Sequence, residues 1–107
     1  MAFKALFIVR APESNPEQDR SCLKNGNIEV TTIAFELDDS DGIIMTCKKM
    51  VDEAGIQSIV LCPAVTYDLA AKVSEAVADK AAVFVARGDF DSVRLASQYI
   101  NEEWFGQ

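Results

Sequence analysis

Histidine is absent from this 107-residue sequence, and its absence removes several kinds of chemistry at once. Ser-His and Cys-His nucleophile pairs, histidine metal sites and histidine general bases are excluded, because each of them needs an imidazole. Any catalysis would depend on carboxylates, lysine, tyrosine, cysteine or a bound cofactor. The sequence indicates no particular cofactor, so we expect none.

Cysteine is scarce as well, with Cys22, Cys47 and Cys62 as its only three occurrences. An odd number of cysteines, none of them in a Cys-x-x-Cys spacing, indicates neither a disulfide framework nor a metal or redox pair. We therefore predict reduced thiols and no metal site.

Glycine-rich phosphate loops are also missing, since the sequence contains neither GxGxxG nor GxxxxGK[ST]. The acidic run at 38–41, followed by Gly42, superficially resembles a calcium loop. Leu37 stands where the first carboxylate is needed and Lys48 where the bidentate glutamate is needed, so calcium is excluded. Capping of a following helix explains these acids instead.

Positive charge is outnumbered, because ten Lys and Arg face 17 Asp and Glu and leave a net charge of −7. This balance opposes binding to nucleic acid and to anionic membranes. The longest apolar run, at 81–86, is far too short to cross a membrane, and the N-terminus leads into a predicted strand rather than a signal peptide. We expect a cytosolic protein.

Half of the residues are hydrophobic, which is enough for a single domain spanning 1–107 to bury a core. Apolar, strand-like runs alternate with helical periodicity, which predicts an α/β fold with right-handed crossovers. We predict an open, mostly parallel four-stranded sheet in the order 2-1-3-4, with three main helices and an extra β-hairpin arm. A ferredoxin-like α+β fold is the alternative. The predicted strands are 3–9, 27–35, 56–62 and 82–86, and the helices end near residues 54, 79 and 103.

Local signals refine this picture. Asn25-Gly26 predicts a tight hairpin with a type I′ turn, in which both residues adopt positive φ. The apolar first strand is typical of a strand covered on both faces. In the first helix the 3.6-residue period places Cys47 in the core, and Gly55 is expected to end that helix in a left-handed conformation.

Ligands of open α/β sheets bind beyond the carboxyl ends of the strands, and two arginines occupy such positions here. Arg10 and Arg87 each directly follow an apolar strand. Together with backbone N–H groups at the starts of the following helices, they are candidates to hold a carboxylate or a phosphate. The candidate backbone positions are Thr66, Gly88 and Asp89.

Other roles for these residues remain open. The arginines have a structural alternative, which is ion pairing with Glu13, Asp89 or Asp91. Tyr67 and Asp68 would border the same pocket, with Asp68 as a base, although the helix dipole already accounts for an acid at that position.

Cys62 ends a predicted strand just before a helix, where the positive end of the helix dipole would favour a nucleophilic thiolate. The alternative is a structural cysteine, because free cysteine is among the most buried residues and no histidine is present to activate it. We favour the structural role.

The final helix carries more than one apolar stripe. Val93, Ala96 and Ile100 form the first, and further residues extend the apolar surface beyond one face. A wide core face with the tail folded back is one explanation, and a homo-oligomer interface, of a dimer or a trimer, is the other. The candidate interface residues are Leu95, Tyr99, Trp104 and Phe105.

Four segments of the sequence, 3–8, 11–13, 59–63 and 85–89, carry a resemblance that extends over the whole chain. On these segments the chain resembles a family of small prokaryotic α/β proteins of unknown function. The resemblance implies the α/β fold and an oligomer. It contains no catalytic motif, so it assigns no functional residue.

Two functions follow as hypotheses. The first is a small oligomeric binding or regulatory module that holds a small anionic metabolite at the carboxyl ends of its strands. The alternative is a small histidine-free lyase, isomerase or hydrolase that uses Cys62 or a carboxylate. The identity of the ligand does not follow from the sequence.

Overall fold

The computed structural model describes residues 1–88 and 90–106, which form a mixed α/β fold as expected. Within these residues there are five strands, three α-helices and a short 3₁₀ turn at Ala78–Lys80. In chain order the elements are β1 (Phe3–Arg10), β2 (Arg20–Lys24), β3 (Ile28–Phe35), α1 (Ser40–Ala54), β4 (Ser58–Leu61), α2 (Tyr67–Val77), β5 (Ala82–Val85) and α3 (Phe90–Phe105).

All five strands join one sheet in the order β2-β3-β1-β4-β5. β3, β1, β4 and β5 are parallel to one another, and β2 is antiparallel to β3. Counted without β2, the parallel strands lie in the order 2-1-3-4. The expected number of four strands is wrong, because the first arm of the hairpin extends the sheet by a fifth strand. The central parallel pairings do not fit the ferredoxin-like alternative.

The β2–β3 hairpin is present, but the prediction of its turn type is wrong. Neither Asn25 nor Gly26 is among the residues with positive φ. Instead, the side-chain oxygen of Asn25 accepts hydrogen bonds from the backbone N–H groups of Asn27 at 2.7 Å and Ile28 at 3.0 Å. An asparagine side chain thus closes the turn, a second way in which this residue stabilises tight turns.

Both ends of α1 and the start of α2 are fixed by local capping. The Asp39 carboxylate accepts the Gly42 N–H at 3.1 Å, and Gly55 ends α1 with φ of 73° in the expected left-handed region. Thr66 caps α2, since its hydroxyl accepts the Leu69 N–H at 3.3 Å.

The core lies between one face of the sheet and the two helices α1 and α2, which pack against each other. Cys47 is fully buried there, as predicted, and this burial raises the pKa of its thiol to about 12. The other inward residues of the two helices are Ile43, Val51, Leu69, Val73 and Val77.

The opposite face of the sheet carries no helix among the described residues. The expectation that β1 is covered on both faces is therefore wrong within the chain, because Leu6 and Ile8 are fully buried whereas Phe3 is 49% exposed. The cause lies in the connection from β1 to β3, at 11–27, which forms turns and β2 where a doubly wound fold would place a helix.

Helix α3 extends away from the rest of the molecule. Every residue from 91 to 105 is exposed, and α3 makes no extensive packing contact with another described element. The structure measures 45 × 29 × 28 Å with a radius of gyration of 14.3 Å. A compact chain of this length has a radius of gyration of about 13 Å.

Candidate functional site

A pocket of about 540 Å³ opens at the carboxyl ends of β4 and β5, within the size range of small-molecule sites. β4 ends at Leu61, and a turn closed by the Val65 N–H donating to the Cys62 carbonyl at 3.0 Å leads into α2. β5 ends at Val85, and the chain beyond it forms the facing wall. The lining residues are 63–67, 85–88 and Val93.

The start of α2 borders this pocket. Thr66 and Tyr67 both line it, and Thr66 is held in an extended conformation by its capping hydrogen bond to Leu69. The first turn of an α-helix carries backbone N–H groups without helical acceptors and the positive end of the dipole. This part of the pocket is therefore suited to an anionic group.

Arg87 supplies a cation at the same pocket. Its guanidinium carbon lies 4.8 Å from the centroid of the Tyr67 ring, which is cation–π geometry. No ion pair joins Arg87 to a carboxylate of the described residues, Asp91 included. Asp89, the remaining candidate partner and a candidate ligand contact, lies outside the described residues.

The other predicted arginine is not part of the pocket. Arg10 ends β1, beside Phe35 of β3, and β4 lies between β1 and β5. Two strand spacings separate β1 from β5, about 10 Å, so the shared sheet edge does not bring the two arginines to one pocket. The Nε atom of Arg10 is buried without a hydrogen-bond partner among the described residues, and the expected pair with Glu13 is not formed.

Cys62 is also outside the pocket lining. It is 8% exposed and belongs to the core cluster, and its backbone N–H donates to the Ile8 carbonyl at 2.9 Å. This position agrees with the structural role that we favoured. Thr66, Arg87 and Gly88 are thus the predicted residues that the structure brings together.

A second cavity of about 390 Å³ adjoins the pocket. Its outer wall is formed by α3 residues between Ser92 and Ile100. The residues that it shares with the pocket are Pro63, Ala64, Arg87, Gly88 and Val93. We did not predict this contribution of α3, because the apolar stripe of Val93, Ala96 and Ile100 is equally typical of a core face. No signal in the sequence distinguishes the two.

Among the described residues, the carboxyl group with a clearly shifted pKa lies outside this pocket. On α1, hydrogen bonds from Lys80 and Lys48 lower the pKa of the Asp52 carboxyl. The Lys80 contact, at 2.9 Å, connects α1 to the 3₁₀ turn, and the Lys48 contact, at 3.3 Å, lies within α1. No cluster of three potential metal ligands occurs in 1–88 or 90–106, and no helix there is long and apolar enough to span a membrane.

The fold and the pocket define a small α/β protein. Helices cover one face of its sheet, none of the described helices covers the other face, and a ligand-sized pocket lies at the strand ends. A family of unknown function, DUF6506, matches residues 3–101, and the chain belongs to this family. No curated protein and no solved structure matches the chain.

Proposed function

We propose that this chain is a small homo-oligomeric binding or regulatory module that holds a small anionic metabolite in the pocket at the ends of β4 and β5. The observation that carries the proposal is Arg87, held 4.8 Å from the Tyr67 ring beside the start of α2. Two independent sources of positive potential, a guanidinium and a helix N-terminus, converge there.

The ring of Tyr67 restricts the guanidinium before any ligand arrives. Less side-chain entropy is then lost when a ligand binds, which is the general advantage of a preorganised site. The N–H groups of a guanidinium form a planar fork that matches a carboxylate or a phosphate with two parallel hydrogen bonds. The Thr66 hydroxyl adds a polar group at the same wall.

The remaining lining favours a ligand with a small apolar part. Pro63, Val65, Val85 and Val93 contribute apolar surface, and a volume of about 540 Å³ suits a metabolite rather than a polymer.

The composition of the pocket supports binding over catalysis. Its described lining contains a cation, a hydroxyl and a phenol but neither a thiol nor a carboxylate. The alternative of an enzyme that uses Cys62 or a carboxylate therefore gains no support from the pocket geometry.

Isothermal titration with inorganic phosphate, acetate and succinate tests the proposal on wild type and Arg87→Gln. Loss of the guanidinium should weaken binding about 10-fold or more, since a charge-assisted hydrogen bond contributes roughly 1.5–3 kcal/mol. Arg20→Gln is the matched control, because it removes the same charge from β2, outside the pocket. Equal affinities of Arg87→Gln and wild type, or no binding of any of the three anions, would refute the proposal.

A further inference from the structure

The sheet face opposite α1 and α2, called here the open face, is uncharged throughout the described strands. Strand pairing aligns Phe7 with Val60 and Val60 with Phe84 on this side. Every strand residue that shares the side is apolar or carries only a hydroxyl, whereas the charged strand residues alternate onto the other side.

Such a composition is typical of a covered surface. A sheet face that remains in water alternates with polar and charged side chains, and the faces of parallel sheets are normally covered by helices. Here Phe3 is 49% and Phe84 is 56% exposed, and Phe7 and Val60 between them are partly exposed. The open face therefore has the composition of a protein interior but is in contact with solvent.

Helix α3 likewise exposes apolar side chains that no other described part of the chain covers extensively. Leu95, Tyr99, Trp104 and Phe105 are all exposed, and the last two rings lie edge to face at 6.4 Å. Residues of α3 between Ser92 and Ile100 border the cavity beside Pro63 and Ala64, at the end of the sheet rather than against its face. Among the described residues, one face of the sheet is thus not covered by a helix, and α3 has no extensive contact with the sheet.

The exposed area is large enough for a stable dimer. The accessible surface is 7127 Å², whereas a compact monomer of 11.7 kDa exposes about 5,900 Å². The excess of about 1,200 Å² is larger than the ~800 Å² that each partner contributes to an interface of standard size.

We propose that two copies of this chain pair by exchange, with α3 of each copy lying across the open face of the other. Because of the two-fold symmetry, one contact between α3 and the open face occurs twice, and it covers both apolar surfaces of both chains. Because the contact is uncharged on the sheet side, the acidic residues stay at the solvated rim, where repulsion is screened beyond ~8 Å. The inference deepens the oligomeric part of the proposed function and does not depend on the ligand pocket.

Sedimentation equilibrium at micromolar concentrations should give twice the chain mass of 11.7 kDa. Phe84→Lys on the open face and Tyr99→Glu on α3 should each raise the dissociation constant about 100-fold or more, because each change occurs twice in the symmetric dimer. Both side chains are exposed within the chain, so unchanged circular dichroism is expected. Met45→Lys, which alters an exposed residue of α1 on the other side of the sheet, should leave the dimer intact.

Mixing the two variants tests whether the helix and the sheet are partners. A mixed dimer contains one wild-type junction and one altered junction, in which the lysine introduced at position 84 faces the glutamate introduced at position 99. It should therefore re-form at concentrations where each variant alone is monomeric. A mixture that remains monomeric overturns the proposal.

Two further outcomes overturn the exchange. The first is a wild-type monomer, including one compacted to a radius of gyration of about 13 Å because α3 folds onto its own sheet. The second is a dimer that neither substitution weakens. A monomer that still binds phosphate through Arg87 would refute the exchanged dimer and support the ligand site. A dimer that binds none of the tested anions would support the exchanged dimer and refute the ligand site.

Discussion

Replacement of Cys47 tests how the core of this protein is built. The side chain is fully buried on α1, one helical turn from Ile43 and from Val51. Cys47→Ser should lower the free energy of unfolding by about 1–3 kcal/mol, because a hydroxyl enters an apolar layer. A hydrogen bond to the Ile43 carbonyl, one turn back, would place the cost at the lower end. Cys47→Ala removes one heavy atom and should cost about 1 kcal/mol.

The same thiol predicts a change of stability with pH. Burial raises the pKa of Cys47 from the ordinary 9.0 to about 12. Between these values the unfolded chain has lost the proton while the folded chain still holds it. The thiol's stabilising contribution is therefore complete below pH 9 and is lost as pH rises towards 12, at about 1 kcal/mol per pH unit. Cys47→Ala has no thiol at this position, so its free energy of unfolding should not include this pH-dependent loss.

Urea denaturation under reducing conditions, at one protein concentration and at about pH 8 and about pH 10.5, measures both effects. Relative to Cys47→Ala, wild type should lose about 2 kcal/mol between these pH values. Comparison with this variant removes the contribution of lysines and tyrosines that titrate in the same range. The reasoning fails if Cys47→Ser unfolds at the wild-type midpoint, or if the difference between wild type and Cys47→Ala does not change with pH.

Two further predictions concern the backbone and the other thiols. Gly55→Ala should cost roughly 1–2 kcal/mol in thermal or urea unfolding, because its φ of 73° is strained for alanine, whereas Gly26→Ala, which meets no atom within 4 Å, should cost clearly less. Equal costs would contradict the assignment of the helix end. Iodoacetamide should label exposed Cys22 in the folded protein and leave Cys47 and Cys62 unmodified until unfolding, as mass spectrometry can show. Labelling of Cys62 as fast as Cys22 would disprove its burial.

Sequence reasoning succeeded where the deciding interactions are local. The period of α1 placed Cys47 correctly, and Gly55 ended the helix as expected, because both features depend on neighbours within one or two turns. The hairpin was found by the same logic. Its turn type was not, because the Asn25 side chain offers a second set of hydrogen bonds that the Asn-Gly dipeptide does not reveal.

Features that depend on distant parts of the chain were less accessible. Thr66, Arg87 and Gly88 meet at one pocket because β4 and β5 are adjacent, whereas Arg10 lies two strands from β5. The sequence predicts that all of these residues lie at strand ends and helix starts. It does not predict how far apart those strand ends are across the sheet. An apolar strand such as β1 likewise indicates that both faces are apolar and does not say which chain covers them.

The wall shared by the pocket and the adjoining cavity has a thermodynamic consequence. Arg87 and Gly88 line both spaces, and Val93 of α3 closes both. If association of two chains fixes the position of α3, the energy of that step and the energy of ligand binding become coupled. By linkage, the factor by which dimerisation changes ligand affinity must equal the factor by which the ligand changes the dimerisation constant. Concentration of the protein itself would then regulate how much ligand each chain holds.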